Sequence, residues 1–213
     1  MGLSARAKKI VSEFVGEPKL GDIKKRGKEI KIDHDLAMEL WSQGDYYPRL
    51  LSTLIFDKKL LTESVIDKLA SDLLAHDENE RNQLSDWLLA NQLTKDRELV
   101  ALIESWQESP SPMLRRWFWY YQARLRWMGR TPPPENSAEL LASLEADMST
   151  AEPEVQWAMN FCAGWIGIFE PELRSRCIKL GKSLGLYKDE PVARNCTPSY
   201  LPEFIKVEVA KRN

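Results

Sequence analysis

A chain of 213 residues, 43% hydrophobic and 29% charged, is long enough to bury a sizeable core as one domain or two small ones. Its 30 basic residues nearly balance 32 acidic ones, which excludes a histone-like basic protein or a long acidic tail and leaves electrostatic recognition to local patches. No apolar run approaches the ~20 residues of a membrane helix. Met1 to Lys9 lacks an apolar segment followed by a cleavage site. Cys162, Cys177 and Cys196, with His34 and His76 far apart, suggest neither a disulfide framework nor a Cys/His zinc site. These features read as a soluble cytoplasmic protein that meets no membrane.

In chain order, the first distinctive segment is Glu17 to Ile32, which carries Lys24, Lys25, Arg26, Lys28 and Lys31. Helical spacing follows throughout. Leu36, Leu40 and Trp41 share a face, as do Leu50, Leu51, Leu54 and Ile55, then Val65, Ile66, Leu69, Leu73 and Leu74. The pattern continues through Leu84, Trp87, Leu88 and Leu89 and through Leu99, Leu102, Ile103 and Trp106. Gly44-Asp45, Ser109-Pro110-Ser111-Pro112 and the prolines of Thr131 to Pro134 separate segments. Asp57 and the Thr94 to Glu98 stretch mark further starts, and Asp33, Thr62 and Ser137 suit helix N-caps. About nine or ten helices of roughly 10–17 residues result. Only Phe204 to Val209 alternates like a strand. After Gly185, Pro191, Pro198 and Pro202 exclude one continuous helix, so residues 186–213 are expected to be an irregular tail packed on the last helices. Short connections imply antiparallel neighbours, and helix pairs recurring about every 35–40 residues suit a HEAT-like α-solenoid. The expectation is an all-α protein, residues 1–213 forming a single HEAT-like domain, with a plain helical bundle as the alternative.

Three segments are candidates for chemistry. In Met113 to Trp127, Arg116, Tyr120 and Arg124 lie four residues apart on one helical face, with Trp117 and Tyr121 beside them. Basic residues mixed with aromatics suit phosphate pairing and ring contact with sugar or base. The same pattern also suits a core helix whose rings fill space while its arginines reach solvent. Asp86, beside Leu84, Trp87 and Leu88, is an acid on an otherwise apolar segment. It can stabilise a developing cation or orient a water, or simply sit solvated at a helix edge. Trp157, Phe161 and Trp165 make an aromatic ladder around Asn160, whose amide needs partners if buried. Phosphate-binding glycine loops, nucleophile elbows and zinc-protease motifs are absent, so nothing argues for ATP, nicotinamide or any other cofactor, or for a metal.

In this order the segments resemble the DNA alkylation repair family, the AlkD-like HEAT-repeat DNA glycosylases. The resemblance covers most of the chain. It rests on Leu20 to Ile30, on Leu36-Ala37-Met38-Glu39-Leu40-Trp41 running to Arg49-Leu50-Leu51, and on Leu114-Arg115-Arg116. It continues in Val155 to Gly167 and in Asn195-Cys196-Thr197-Pro198-Ser199-Tyr200-Leu201-Pro202-Glu203-Phe204-Ile205. It implies a curved stack of helix pairs that holds double-stranded DNA by its backbone in a concave basic groove. It implies hydrolysis of the N-glycosidic bond of N3- or N7-alkylated purines, or a divergent member in which that activity is reduced. An alkylated purine already carries positive charge and leaves without a general acid, and a carboxylate and aromatic faces stabilise the cation developing on the sugar. Position by position, the resemblance places the catalytic acid on Asp86, a ring beside the sugar on Phe161, and phosphate contacts on Arg116 and, further along, Arg124. Arg115, Lys24, Lys25, Arg26, Lys28, Arg126 and Arg130 complete a basic patch. Tyr46 and Tyr47 match an early tyrosine in type. Two positions depart from the pattern, because Asn82 and Phe161 stand where the family carries tryptophans. A non-catalytic HEAT-type scaffold for nucleic acid or protein is the alternative.

Overall fold

A computed structural model describes residues 2–128 and 135–212. The proline linker at 131–134 and Arg130 lie outside the described residues. Among the described residues the chain forms twelve α-helices and three 3-10 turns, with no strand. It divides into two compact units, one ending at Leu114 and the other beginning at Arg115.

The first unit holds α1 (Ala5–Glu13), α2 (Leu20–Ile30), α3 (His34–Ser42), α4 (Tyr46–Ile55), α5 (Glu63–Leu73), α6 (Glu78–Asn91), α7 (Arg97–Ser105) and the first turn of α8 (Pro112–Trp127). Side-chain oxygens start these helices by accepting otherwise unpaired backbone N–H groups. Asp33 accepts from the Leu36 amide, Thr62 from Val65, Asp77 from Glu80, and Asp96 from Glu98. Thus Asp33 and Thr62 cap as the spacing predicts, whereas Asp96 takes the place expected near Thr94.

Helix α4 is the centre of this unit and packs against α2, α3 and α6. Its buried face includes Leu50, Leu51 and Ile55 but also Arg49, Ser52 and Thr53. Each polar group has a partner. Arg49 donates to the carbonyls of Trp41 (3.0 Å) and Asp72 (2.7 Å), Ser52 donates to the Ala37 carbonyl (2.9 Å), and the Thr53 hydroxyl donates to the Leu50 carbonyl (2.7 Å). Burial pushes the Arg49 guanidinium pKa down, against the opposing pull of Asp72 and Asp45.

The second unit contains the rest of α8, then α9 (Ser137–Asp147), α10 (Pro153–Phe169), α11 (Pro171–Leu184) and α12 (Leu201–Ala210). Helix α10 is its core and packs on α9, α11 and α12. Ser137 is the first residue of α9, with Asn136 at the cap, so the expected capping serine instead directs its hydroxyl to Arg126 and Glu170. Asn160 is buried and donates to the Ser199 carbonyl at 2.9 Å, which ties α10 to the segment before α12.

The expected irregular tail is a correction. Residues 186–200 contain no helix, but α12 follows, and Phe204 to Val209 is helical, not extended. Pro202 sits in the first turn of α12, where a missing N–H costs nothing and the fixed φ favours the helix. Close approach is the reason α12 can dock. A Cβ at Gly181 would stand 2.7 Å from both Leu201 Cβ and Pro202 Cδ, and one at Gly164 would stand 2.6 Å from the Phe204 ring. Gly181→Val therefore overpacks the α11–α12 contact. The expected cost is about 1–3 kcal/mol, read as a lower melting temperature by circular dichroism; an unchanged melting point contradicts the tight contact.

Candidate nucleic-acid interface

In the first unit, α2 and α6 carry the predicted residues. Helix α6 buries Leu84, Ser85, Leu88 and Leu89, which leaves Asp86 and Trp87 half-buried at the edge of that face. The exposed Lys24 places its Nζ 5.1 Å from the centroid of the half-buried Trp87 ring, the residue that follows Asp86 in the chain. Lys25 is exposed elsewhere on α2, lining a hollow with Glu13, Asp22, Arg26 and Glu29. Arg26 is committed to ion pairs with Glu13 and Glu29. Asn82 is half-buried on α6. Nearby, Tyr46 bonds Gln83, and its ring meets the edge of His76, whose Nδ1 lies 2.6 Å from Glu80. Burial first, then the charge of Glu80, pushes the Tyr46 hydroxyl up to about 12, which keeps it a neutral donor at ordinary pH.

The second unit holds the remaining residues in a different setting. Arg116 is only 1% exposed, and its guanidinium lies 5.5 Å from the Tyr120 ring and 5.3 Å from the Trp157 ring. Phe161 stacks on Tyr120 at 5.6 Å and 18° and on Trp157 at 5.3 Å and 19°, while Tyr120 and Trp157 are tilted 31° to each other. Phe161 is thus the junction of the ladder read from the sequence. Its next step turns, because Trp165 meets Phe161 edge-on at 87°. Trp165 then begins a second near-parallel set with Trp127 (25°) and Phe169 (24°). Arg124 is half-buried with its guanidinium 5.9 Å from the Trp127 ring.

Two arginines of the expected patch have internal duties. Arg115 donates through Nη2 to both carboxylate oxygens of Glu152, at 2.6 and 2.5 Å, and this bond holds the Glu152 carboxyl below its usual range. Arg126 is a correction: its side chain is buried, and it donates to the Gln122 carbonyl (2.9 Å), Asn136 (3.2 Å) and Ser137 (2.5 Å) beside Glu170. It belongs to the interior. Burial also pushes the Cys162 and Cys177 thiols up to about 12, so neither is a nucleophile at neutral pH.

Arg212 was missed by sequence reasoning, since its position lay in the expected irregular tail. It follows α12, donates to the Glu208 carbonyl (2.6 Å) and carboxylate (2.7 Å), and lies 4.9 Å from the Trp165 ring and 5.8 Å from the Phe169 ring. The Glu208/Arg212 spacing of one helical turn is the signal that could have found it.

Comparison with protein-family models and with curated proteins finds no match. Among solved structures, the chain is similar to a protein described as belonging to a new family related to the HEAT-like repeat DNA glycosylases, with affinity for branched DNA structures. The two share 21% sequence identity and a TM-score of 0.66 over 98% of this chain and 88% of that one. The fold is therefore HEAT-like. Among the described residues no helix is long and apolar enough to cross a membrane.

Burial pushes the Glu208 carboxyl up, but hydrogen bonds from Lys211, Arg212 and Thr197 outweigh it and bring its pKa to about 2. A carboxyl with a depressed folded-state pKa stabilises the protein above its unfolded value of about 4.3. That stabilisation disappears as pH falls from there through about 2. Glu208→Gln is expected to lower the melting temperature at pH 7 and to converge with the wild type near pH 2; parallel melting curves at both pH values contradict it.

Proposed function

We propose that this protein binds DNA and recognises branched DNA structures. The observation that carries the reading is the fold likeness, over 98% of the chain, to a protein with affinity for branched DNA. Chemistry on the surface supports it. Lys24, Lys25 and Lys28 are exposed on α2, and Arg124 is half-buried beside Trp127, giving cations for phosphate contact without base-specific geometry. Arg115 can join only by exchanging Glu152 for a phosphate, and Arg116 acts on the rings that cover it.

A second reading is favoured by one observation, the half-buried carboxylate of Asp86 beside Trp87. There Asp86 would stabilise the cationic sugar during hydrolysis of an N3- or N7-alkylated purine nucleotide in duplex DNA. Asn82 supplies no ring, so a weaker activity than that of the glycosylases follows.

Binding is tested by titrating a labelled four-way junction and a linear duplex of the same sequences over a range of salt. Tighter binding of the junction is expected, with log affinity falling against log salt by about 0.9 per phosphate contacted. Replacing both Lys24 and Lys25 by alanine reduces that slope by about 2. Equal affinity for the two DNAs, or no binding at low salt, contradicts the proposal. Excision is read separately, as release of 7-methylguanine from methylated duplex that Asp86→Asn abolishes; no release by the wild type removes the second reading alone.

A further inference from the structure

We propose that the near-parallel rings of Trp127, Trp165 and Phe169, with Arg124 and Arg212, form a stacking platform for unpaired nucleobases. The inference rests on the DNA-binding reading and names the part of branched DNA the site takes. Three observations carry it.

The first is exposure. Trp127 is 42% exposed and Phe169 37% exposed, whereas Trp165 between them is 4% exposed and so fixed by its neighbours. Ring surface that stays part-open on both neighbours of a buried ring is available to a flat ligand. The second is orientation. Trp127 and Phe169 lie 25° and 24° from the Trp165 plane, at centroid separations of 6.3 and 5.8 Å. Near-parallel faces presented at a surface accept a flat heterocycle, and every base has such a face, so the site is indifferent to sequence. The third is charge. Arg124 stands by Trp127, while Arg212 lies over Trp165 and Phe169, held in place by Glu208. Arg124 suits the phosphate that accompanies a stacked base, while Arg212, paired with Glu208, braces the rings. An apolar peptide would find no use for these cations, and a paired duplex keeps its base faces internal. Unpaired nucleotides, such as those at a fork or flap, satisfy both requirements.

The test compares wild type, Trp127→Ala, Trp127→Phe and Phe169→Ala, each checked for folding by circular dichroism. The probes are a forked DNA with 2-aminopurine in its single-stranded arm, a fully paired linear duplex, and a short oligothymidine. Trp127→Ala is expected to weaken binding of the fork and of oligothymidine about tenfold, the scale of losing one base–aromatic stack. It should leave the duplex unaffected and abolish quenching of 2-aminopurine; Trp127→Phe retains most of the affinity. If the wild type binds the fork and both alanine variants bind it equally well, the platform is wrong while the branched-DNA reading stands. If oligothymidine binds through Trp127 but junctions and forks gain nothing over linear duplex, the platform stands and the branched-DNA reading falls. No binding of any probe overturns both.

Discussion

The arrangement of the second unit depends on housing charged guanidinium groups away from water. Removing such a group from solvent costs several kcal/mol unless other groups replace the lost hydration. Arg126 meets that constraint with the Gln122 carbonyl, Asn136 and Ser137, beside Glu170. Arg116 lies against the Tyr120 and Trp157 rings. These contacts fix α8 against the start of α9 and the face of α10. That in turn fixes where Tyr120 and Trp127, both on α8, meet Phe161 and Trp165 on α10.

The result is two sets of rings joined edge-on at Phe161 and Trp165, the first half-buried at Trp157 and Phe161 and the second open at Trp127 and Phe169. The first set suits rigidity, since interlocked aromatic planes have few alternative packings. The open set suits recognition of flat ligands by surface area and charge. A protein of near-neutral total charge binds a polyanion only where cations are concentrated and accessible. The Lys24 and Lys28 face of α2 and the Arg124 flank of the open rings are such places.

Much of the fold was legible because amphipathic spacing is a local property. The face of Leu36, Leu40 and Trp41 and the ladder of Trp157, Phe161 and Trp165 are set by helix geometry alone. Helix α12 was not legible, because three prolines read as breakers and only a tertiary contact, Gly181 against Leu201 and Pro202, shows why one of them starts a helix. The site was only partly legible for the same reason. Sequence shows that Arg115, Arg116, Arg124 and Arg126 are close along one helix. It does not show that Arg126 is interior, that Arg115 is bonded to Glu152, or that Arg212 lies over the Trp165 ring. Those facts arise from neighbours distant in the chain.

Hydroxyl-radical footprinting of the aromatic side chains, with and without a saturating forked DNA, tests the account most directly. Bound DNA should strongly reduce oxidation of Trp127 and Phe169 while leaving the exposed Leu60 and Leu74 as reactive as in the free protein. Unchanged oxidation of Trp127 and Phe169 at saturation would contradict the account.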